Sequence, residues 1–316
     1  MKYYLILNPG SRSGKSRKKF QKIFNHLNES GIYFQYHITI SLHDAYLASK
    51  EANKKNFDAI IAVGGDGTIN AVLNGFFDDN GNKTSTSKFG IIYTGTSPDF
   101  CKSYHIPLKL DHAVNNIISC STIKINVAKI LLSLNEKDLL MQTRFFACCA
   151  NVGLGAELAR RANSGMRKYF GDFLGTFFSL ITTLFSYKAN NISIQINGKQ
   201  KILENVTNLS IGLTKYIASG IKVNYYVAHH KDQFYLMVAQ NLNFFRIFPL
   251  LRKVYSGKPI KNTGYLSVSF CKQIEINKNN QNPEVEFDGD PTGYLPCKIE
   301  LAKDQLDLII VPRNPV

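Results

Sequence analysis

The sequence contains no tryptophan and few acidic residues, with 23 aspartates and glutamates against 38 lysines and arginines. Its formal net charge at pH 7 is therefore +15. Such an excess of positive charge attracts polyanions, and the candidates are nucleic acid, an anionic membrane surface and a phosphate-bearing substrate. With 44% hydrophobic and 19% charged residues, the chain still has the composition of a folded protein, which excludes global disorder.

Regularly spaced cysteines are also missing. None of the six cysteines forms a CxxC pair, and the adjacent Cys148 and Cys149 have poor geometry for a disulfide framework. The apolar run Tyr3–Leu7 is too short for a signal peptide and is broken by Asn8-Pro9. We therefore expect reduced thiols and a cytoplasmic protein.

The chain lacks any run of about 20 apolar residues, the length that a membrane-spanning helix needs. The nearest run, Phe173–Tyr187, contains two adjacent threonines. Contact with a bilayer is therefore expected to be peripheral. Two segments with basic and aromatic residues, Arg160–Tyr187 and Phe244–Lys253, are candidates for that contact, and burial of their apolar faces in the core is the favoured alternative.

Strand and helix patterns alternate in the first third of the chain. The predicted strands are residues 3–8, 33–40, 58–63 and 89–93, and the predicted helices are residues 15–28, 44–55 and 69–77. Fully apolar strands alternating with helices are typical of a parallel sheet covered on both faces. We therefore predict an α/β domain over residues 1–119, with an exposed loop at 78–87.

Strand-like segments follow one another in series after residue 119. They are residues 122–134, 142–152, 191–196, 208–213, 233–240, 265–277 and 284–287. Hairpin signals such as Asn197-Gly198 separate them, and helical stretches at 157–188 and 244–255 interrupt them. This pattern predicts an antiparallel β-sandwich domain with helical insertions over residues 120–304. The last segment, 305–316, can return to either domain.

A glycine-rich motif, Gly64-Gly65-Asp66-Gly67-Thr68, joins the third predicted strand to the helix after it. Its glycines allow a sharp turn and close approach of a ligand, and a helix N-terminus offers free N–H groups to phosphate oxygens. A carboxylate among phosphates is tolerable only if it holds a metal ion or a hydroxyl. We therefore interpret Asp66 as part of a Mg²⁺ network or as a contact to a nucleotide hydroxyl. A tight turn capped by Asp66 is the less favoured interpretation.

Two further predicted strands also end in polar loops. The loop Asn8–Lys15 resembles a Walker A loop, but only three residues separate Gly10 from Gly14-Lys15 where that loop has four. The basic residues after it are explained equally well by a solvated helix face. The segment Tyr93–Phe100, taken alone, is a helix cap formed by Thr96 or Ser97. Because parallel strands end at one edge of a sheet, the three loops together predict a nucleotide site.

An acidic turn, Asp288-Gly289-Asp290, follows the strand 284–287. Phosphoryl transfer to an alcohol needs a base near the hydroxyl group, and a carboxylate can take that proton. On spacing alone, however, an exposed Asp-Gly turn is the better explanation.

The four motifs, in this order and over nearly the whole chain, resemble the diacylglycerol kinase catalytic-domain family. This family includes bacterial diacylglycerol and phosphatidylglycerol kinases and the eukaryotic sphingosine and ceramide kinases. Its hallmarks are Asn-Pro-x-Ser-Gly, Gly-Gly-Asp-Gly-Thr-x-Asn, Gly-Thr-x-Asn-Asp-Phe and a late Asp-Gly-Glu. The resemblance implies a nucleotide-binding domain similar to that of NAD kinases and phosphofructokinases, and transfer of the γ-phosphate of Mg-ATP to a lipid hydroxyl, with diacylglycerol as the first candidate.

The resemblance also implies roles for individual residues. The nucleotide contacts it implies are Asn8, Pro9, Ser13, Gly14, Lys15, Thr39, Gly64, Gly65, Asp66, Gly67, Thr68, Ile69, Asn70 and Thr96. Asp290 takes the place of the catalytic base and Asp288 that of the aspartate beside it, which makes them catalytic candidates with Asp66. A structural Mg²⁺ site of bacterial members matches Asp232, with carbonyls near His229 and Phe234. There Gln233 replaces a glycine, and a plain surface turn is an equal alternative.

The chain departs from the family pattern at two positions. Pro98 stands where the family has asparagine, which removes a side-chain donor and acceptor. Asp290 stands where it has glutamate, and this pulls the carboxylate back by one methylene. Since a misplacement of about 1 Å can cost about 10²-fold in rate, a different lipid headgroup, a slow enzyme and loss of activity all stay open.

Two other functions also stay open. NAD kinases and phosphofructokinases share the Gly-Gly-Asp-Gly core, although the loop at Asn8-Pro9 and the segment Thr94–Phe100 favour a lipid kinase. A catalytically weak basic regulator of membrane or nucleic acid is the second alternative. Because the sequence has no helix-turn-helix pattern, zinc-ligand spacing or aromatic-basic strand motif, we expect no nucleic acid partner. The expected partners are ATP, a lipid substrate and an anionic membrane surface with peripheral attachment, and a homodimer is left open.

Overall fold

The computed structural model describes residues 1–11, 14–136, 140–161, 187–217, 221–224, 232–242, 245–246, 249–250, 252, 256–278 and 283–311. Within these ranges, the side chains of Lys15, Arg161, Ile221 and residues 290–292 are not described. The chain forms two compact units, Met1–Val127 with Ala302–Val316, and Ala128–Leu301.

The first unit is an α/β layer structure. Its described strands are β1 (Lys2–Leu7), β2 (Tyr33–Ile38), β3 (Ala59–Gly64), β4 (Lys88–Tyr93), β5 (Thr122–Ile125) and, near the C-terminus, β18 (Leu306–Ile309). Its described helices are a 3₁₀ helix (Lys15–Lys19), α1 (Phe20–Glu29), α2 (Leu42–Lys54), α3 (Asp66–Asn74), α4 (Asp99–Ser103) and α5 (Leu110–Ser119).

The strand order β2-β1-β3-β4-β18-β5 confirms the predicted parallel α/β sheet. β1 pairs in parallel with β2 on one side and with β3 on the other, so the sheet has a topological switch point between β1 and β3. β3 is buried along its whole length, as its continuous apolar sequence predicts. Among the described strands of this sheet, only β5 is antiparallel to its neighbour, β18.

The C-terminal strand returns to the first unit, where β18 lies between β4 and β5. The predicted single strand at 122–134 is wrong. It is two strands, because β5 pairs with β18 while β6 (Ala128–Ser133) pairs with strands of the second unit. The chain therefore passes between the units at 127/128 and 301/302, whereas the sequence placed these passages at 119/120 and 304/305.

The second unit is built from antiparallel strands. They are β6, β7 (Met141–Phe146), β8 (Cys149–Gly153), β9 (Asn190–Ile196), β10 (Lys199–Gly212), β11 (Tyr216–Ile217), β12 (Ile221–Lys222), β13 (Phe234–Gln240), β14 (Leu266–Cys271), β15 (Gln273–Ile276), β16 (Glu284–Phe287) and β17 (Asp290–Leu301). The long strand β10 pairs with β9 through its first half and with β8 and β13 through its second half. These pairings close a circuit β10-β8-β16-β17-β15-β9, which gives the predicted antiparallel sandwich a barrel-like form.

Several predicted elements of the second unit differ from the observed ones. The segment 142–152 is two strands around a turn, and 265–277 is likewise two strands, β14 and β15. The strand β17 was not predicted, because Pro291 and Pro296 lie within it and proline argues against a strand. The helix α6 (Leu154–Arg161) covers the start of the predicted helix at 157–188, and most of the remainder lies outside the described residues, as does most of 244–255.

The six cysteines are all buried and free. Among the described residues, no helix combines the length and the hydropathy needed to cross a membrane.

Candidate active site

Three loops of the first unit begin at the same edge of its sheet. The backbone N–H of Asn8, after β1, donates to the carbonyl of Val63 in β3 at 2.9 Å. The N–H of Thr94, after β4, donates to the carbonyl of Gly64 at 2.8 Å. The predicted convergence of these loops is therefore observed, and it occurs beside the switch point where open α/β sheets bind ligands.

Asn8 connects the first loop to the start of α3. Its side-chain amide donates to the hydroxyl of Thr68 at 2.8 Å, and its amide oxygen accepts from the N–H of Gly10 at 2.9 Å. The buried Ser16 hydroxyl donates to the Asn8 carbonyl at 2.7 Å. Ser16 was not among the predicted residues, because a serine inside a basic helical segment carries no distinctive pattern.

The glycines of the second and third loops allow a close approach between backbones. A Cβ atom on Gly64 would lie 2.4 Å from the Cβ of Thr68. A Cβ atom on Gly95 would lie 2.7 Å from the Cα of Gly65 and 2.6 Å from the hydroxyl of Tyr93. Glycine is therefore required by contact between the loops themselves, in addition to any need for ligand access.

The N-terminus of α3 has no side-chain cap. Gly65 occupies the N-cap position in an extended conformation, and α3 begins at Asp66, so a cap formed by Asp66 is not observed. The N–H groups at a helix N-terminus and the helix dipole favour a bound anion. The hydroxyl of Tyr93 donates to Oδ2 of Asp66 at 2.9 Å, and burial together with this carboxylate raises the pKa of Tyr93 far above its usual value.

Several predicted nucleotide residues have buried side chains that shape the loops. Thr68 and Ile69 are each 2% exposed, and the hydroxyl of Thr68 is used by Asn8. Thr39, which follows β2, is 4% exposed, and its hydroxyl donates to the carbonyl of Leu7 at 3.3 Å. The side chains of these residues therefore support the loops from the buried side of the site.

Other predicted residues lie at the surface of the same edge. Gly14 has a left-handed conformation with φ of 84° immediately before the 3₁₀ helix, and Pro9 precedes it in the same loop. Thr96 is exposed, and the half-buried Asn70 accepts from the side chain of Asn74 at 3.1 Å. Ser13 and the side chain of Lys15 lie outside the described residues.

The third loop contains a departure from the predicted cap. The N-cap of α4 is Pro98, which has no side-chain group for a cap, so the prediction of Thr96 or Ser97 as the N-cap residue is wrong. The hydroxyl of Ser11 donates to the carbonyl of Thr94 at 3.2 Å and joins the first loop to the third. The side-chain oxygen of Thr94 is buried and has no hydrogen-bond partner in the described structure.

These features fit a Mg-nucleotide. The edge offers oxygen donors, including the Asp66 carboxylate, that suit Mg²⁺, and Mg²⁺ commonly uses one or two carboxylates together with substrate phosphates. The buried hydroxyl of Thr94 is a polar atom that the protein leaves unsatisfied at this edge. No group of three or more ligating side chains occurs among the described residues, so an all-protein metal cage is not observed there.

In the second unit, Asp288 is an anchor for the turn between β7 and β8. Its carboxylate accepts from the N–H groups of Ala147 at 3.1 Å, Cys148 at 2.9 Å and Cys149 at 3.3 Å. Asp288 itself has a φ of 51°, followed by Gly289 at 97°. This is a fixed hairpin corner, and a freely exposed Asp-Gly turn is not what the structure shows.

A second buried carboxylate supports the same corner. Glu286 is 5% exposed, and its oxygens accept from the N–H of Gly289 at 2.5 Å and from the side chain of Asn151 at 2.7 Å. Asn151 in turn accepts from the hydroxyl of Ser210 at 2.7 Å. Glu286 was missed in the sequence, although strand alternation places it on the same face as Asp288. Asp290 follows as the first residue of β17, paired with Phe287, and its side chain is not described.

Arg160, a predicted membrane contact, is paired inside the second unit. Its guanidinium lies 2.6 Å from Glu157 and 3.1 Å from Glu284. Burial raises the pKa of Glu284 while Arg160 opposes the shift. The remainder of the predicted segment, 162–186, lies outside the described residues.

The predicted structural metal site is only partly described. The exposed carboxylate of Asp232 forms an ion pair with Lys272, and Phe234 is a buried residue of β13. His229 lies outside the described residues. Because an ammonium group already accompanies Asp232, the described residues give no support for Mg²⁺ at this turn, and the site stays a prediction.

Two family models match the chain, one for each unit. Residues 2–130 match the diacylglycerol kinase catalytic domain, and residues 149–310 match the YegS C-terminal NAD kinase beta sandwich-like domain. The second match alone covers more than half of the 316 residues.

Individual proteins give the same picture at low identity. A diacylglycerol kinase of Staphylococcus carnosus (strain TM300) is 23% identical over 305 residues, which are 96% of this chain and 93% of the relative. A crystal structure from Bacillus anthracis str. Sterne, provisionally assigned as a diacylglycerol kinase, has 22% identity and a TM-score of 0.75, covering 98% of this chain and 97% of its own. Yeast NADH kinase, at 10% identity and a TM-score of 0.52, covers 99% of this chain and 84% of its own.

Proposed function

The chain belongs to the diacylglycerol kinase catalytic-domain family, and from that premise we propose that it transfers the γ-phosphate of Mg-ATP to the hydroxyl group of a lipid, with diacylglycerol as the first candidate. The observation that carries the proposal is the meeting of the Asn8 loop and the N-terminus of α3 at the switch point of the sheet. That arrangement favours the phosphates of a nucleotide.

The first unit supplies the nucleotide site. The N–H groups at the start of α3 bind phosphate oxygens, and the loops from β1 and β4 lie beside them at the same edge. Asp66 is the described carboxylate that would hold a Mg²⁺ ion, and that ion would neutralise developing charge on the phosphates. The hydroxyl of Tyr93 donates a hydrogen bond to that carboxylate.

The second unit supplies the base. The lipid hydroxyl oxygen forms the new bond to the γ-phosphorus, the bond from that phosphorus to the β–γ bridging oxygen breaks, and ADP leaves. The hydroxyl proton passes to the carboxylate of Asp290. Asp288 and Glu286 hold the backbone of the corner that precedes Asp290.

The substrate is proposed to be presented by a membrane. A net charge of +15 favours an anionic lipid surface, and peripheral attachment of a cytoplasmic protein requires no spanning segment. The same charge also favours the phosphates of ATP, so the charge supports the proposal without identifying the lipid.

A lipid panel tests the proposal. Purified protein is incubated with Mg-ATP and, in separate reactions, diacylglycerol, monoacylglycerol, phosphatidylglycerol, sphingosine and ceramide, with NAD as the water-soluble arm. We expect one lipid to be phosphorylated and Asp290→Asn to lower kcat by at least about 10²-fold, since general-base catalysis contributes that much.

Asp290→Glu is the matched variant for this panel, because it restores the longer side chain of the family while keeping the charge. We expect it to retain at least the wild-type rate. Phosphorylation of NAD alone, or equal inactivity of wild type and both variants on every lipid, would reject the lipid kinase assignment.

A further inference from the structure

Tyr93 occupies an unusual position at the edge of the nucleotide site. It is the last residue of β4, is 7% exposed, and its hydroxyl donates to Oδ2 of Asp66 at 2.9 Å. In the sequence, Tyr93 is recognisable only as the end of a predicted strand. The contact joins β4 to the first residue of α3, which are 27 residues apart in the chain.

The surroundings of the Tyr93 hydroxyl leave it little freedom. The backbone passes so close that a Cβ atom on Gly95 would lie 2.6 Å from the hydroxyl oxygen. Because Tyr93 is buried, its hydroxyl donates to Asp66 from a fixed position in the fold.

We propose that Tyr93 is a positioning residue of the nucleotide site, whose hydroxyl holds the Asp66 carboxylate in the orientation required by Mg-ATP. The inference rests on the proposed function, because it takes Asp66 as the carboxylate beside the metal-bound phosphates. An aspartate side chain has two rotatable bonds, and fixing one oxygen before the ligand arrives reduces the ordering cost of binding. Tyr93 acts through Asp66 and does not itself touch the nucleotide.

The direct test is Tyr93→Phe, which removes one oxygen atom and keeps the ring in the core. ATP binding is measured by calorimetry with Mg²⁺ present and, separately, with EDTA. We expect Mg-ATP to bind about tenfold more weakly, the loss typical of one hydrogen bond to a charged group, and metal-free ATP to change by less than about twofold. In turnover assays the loss is expected mainly in KM for Mg-ATP.

Tyr3→Phe is the matched control, because Tyr3 is also a buried tyrosine of the same sheet and its hydroxyl donates to the carbonyl of Ile117 at 3.3 Å. Tyr3 lies near the start of β1, and its carbonyl partner is in α5, away from the loops. We expect Tyr3→Phe to change the melting temperature about as much as Tyr93→Phe, with no change in either binding constant.

A double-variant cycle with Asp66→Asn separates positioning from general stability. If Tyr93 acts through the carboxylate, adding Tyr93→Phe to Asp66→Asn costs no further Mg-ATP affinity. Additive losses, or equal losses of ATP affinity with and without Mg²⁺, would overturn the positioning role. If wild type does not bind Mg-ATP, the proposed function itself fails; if wild type binds and Tyr93→Phe binds equally well, only this inference fails.

Discussion

At the scale of single residues, the carboxylate of Asp288 has more backbone partners than the acidic motif suggests. It accepts from three consecutive N–H groups, those of Ala147, Cys148 and Cys149. A residue predicted for its place beside a catalytic base is thus also part of the framework of the second unit. Buried donors that lose an acceptor cost more than the average hydrogen bond, so this position is sensitive to small changes.

Asp288→Asn is expected to lower the free energy of unfolding by about 2–4 kcal/mol, because an amide group offers only one acceptor oxygen to the three donors. Asparagine tolerates the positive φ of 51° at this position, so the backbone conformation is not the cause of the loss. Urea denaturation followed by circular dichroism measures the change.

The control for Asp288 is Asp79→Asn, an exposed aspartate in the first unit. We expect that variant to unfold within about 0.5 kcal/mol of wild type, as surface substitutions usually do. Equal stability of Asp288→Asn and Asp79→Asn would contradict the anchoring role of Asp288.

At the scale of elements, the proposed nucleotide site depends on the junction of β3 and α3. A side chain at Gly64 would collide with Thr68 one turn into α3, and Thr68 is the residue that Asn8 contacts from the first loop. The start of α3 and the Asn8 loop must therefore shift together if Gly64 is replaced.

Gly64→Ala is expected to weaken ATP binding by at least about tenfold, because the added Cβ atom would lie 2.4 Å from Thr68 and displace the helix N-terminus from the loop. Gly264→Ala is the matched control, since nothing lies within 4 Å of a Cβ atom placed there. Calorimetry measures both. Unchanged ATP affinity in Gly64→Ala would show that this junction is not the nucleotide site.

The elements of the first unit were largely predictable from sequence. Buried parallel strands such as β3 are continuous apolar runs, and polar loops follow their ends. The hydrophobic pattern and the loop composition therefore predict the same element boundaries. The second unit was harder. Within residues 122–134 the chain leaves one sheet and enters the other at Asn126-Val127. This was not predictable, because apolar periodicity does not show which sheet a strand joins. The strand β17 tolerates prolines that argue against a strand when only the sequence is read.

The loops of the candidate site were predictable from the sequence, but the hydrogen bonds between its distant residues were not. The composition of Gly64–Thr68 alone predicts a phosphate-binding turn. The contacts of Tyr93 with Asp66 and of Glu286 with Asn151 join residues 27 and 135 positions apart. Tyrosine at a strand end and glutamate within a strand are ordinary residues, and only the fold shows what they hold.

At the scale of the whole molecule, four carboxylates spread over both units have lowered pKa values. For Asp78 the main cause is the side chain of Asn82, for Asp111 it is Lys22, and for Glu275 it is Lys298. Burial alone would raise the pKa of Asp44, but the N–H of Ile40 and the side chain of His37 outweigh it. Each group binds a proton less readily in the folded chain than in the unfolded chain.

These shifts predict a loss of stability in acid. A carboxylate with a lowered folded pKa contributes stability above its unfolded pKa of about 4, and this contribution disappears as the pH falls through the folded pKa. The melting temperature is therefore expected to fall between pH 6 and pH 3, and the fall is expected to be smaller in Asp44→Asn. A melting temperature that stays constant over this range would contradict the prediction.

The proposed reaction draws on residues of both units. The first unit has the features of a nucleotide site, and in the second Asp288 and Glu286 fix the hairpin corner that precedes Asp290. A diacylglycerol kinase relative aligns with 96% of this chain, so the similarity extends over both units. The identity of 23% leaves the acceptor lipid to experiment.

The most direct measurement is the fate of the γ-phosphate. Purified protein is given γ-labelled ATP, Mg²⁺ and mixed vesicles that contain diacylglycerol, and the products are partitioned between chloroform and water. We predict label in the chloroform phase with wild type and its loss with Asp290→Asn. Label confined to the water phase, as inorganic phosphate or unreacted ATP, would contradict the assignment as a lipid kinase.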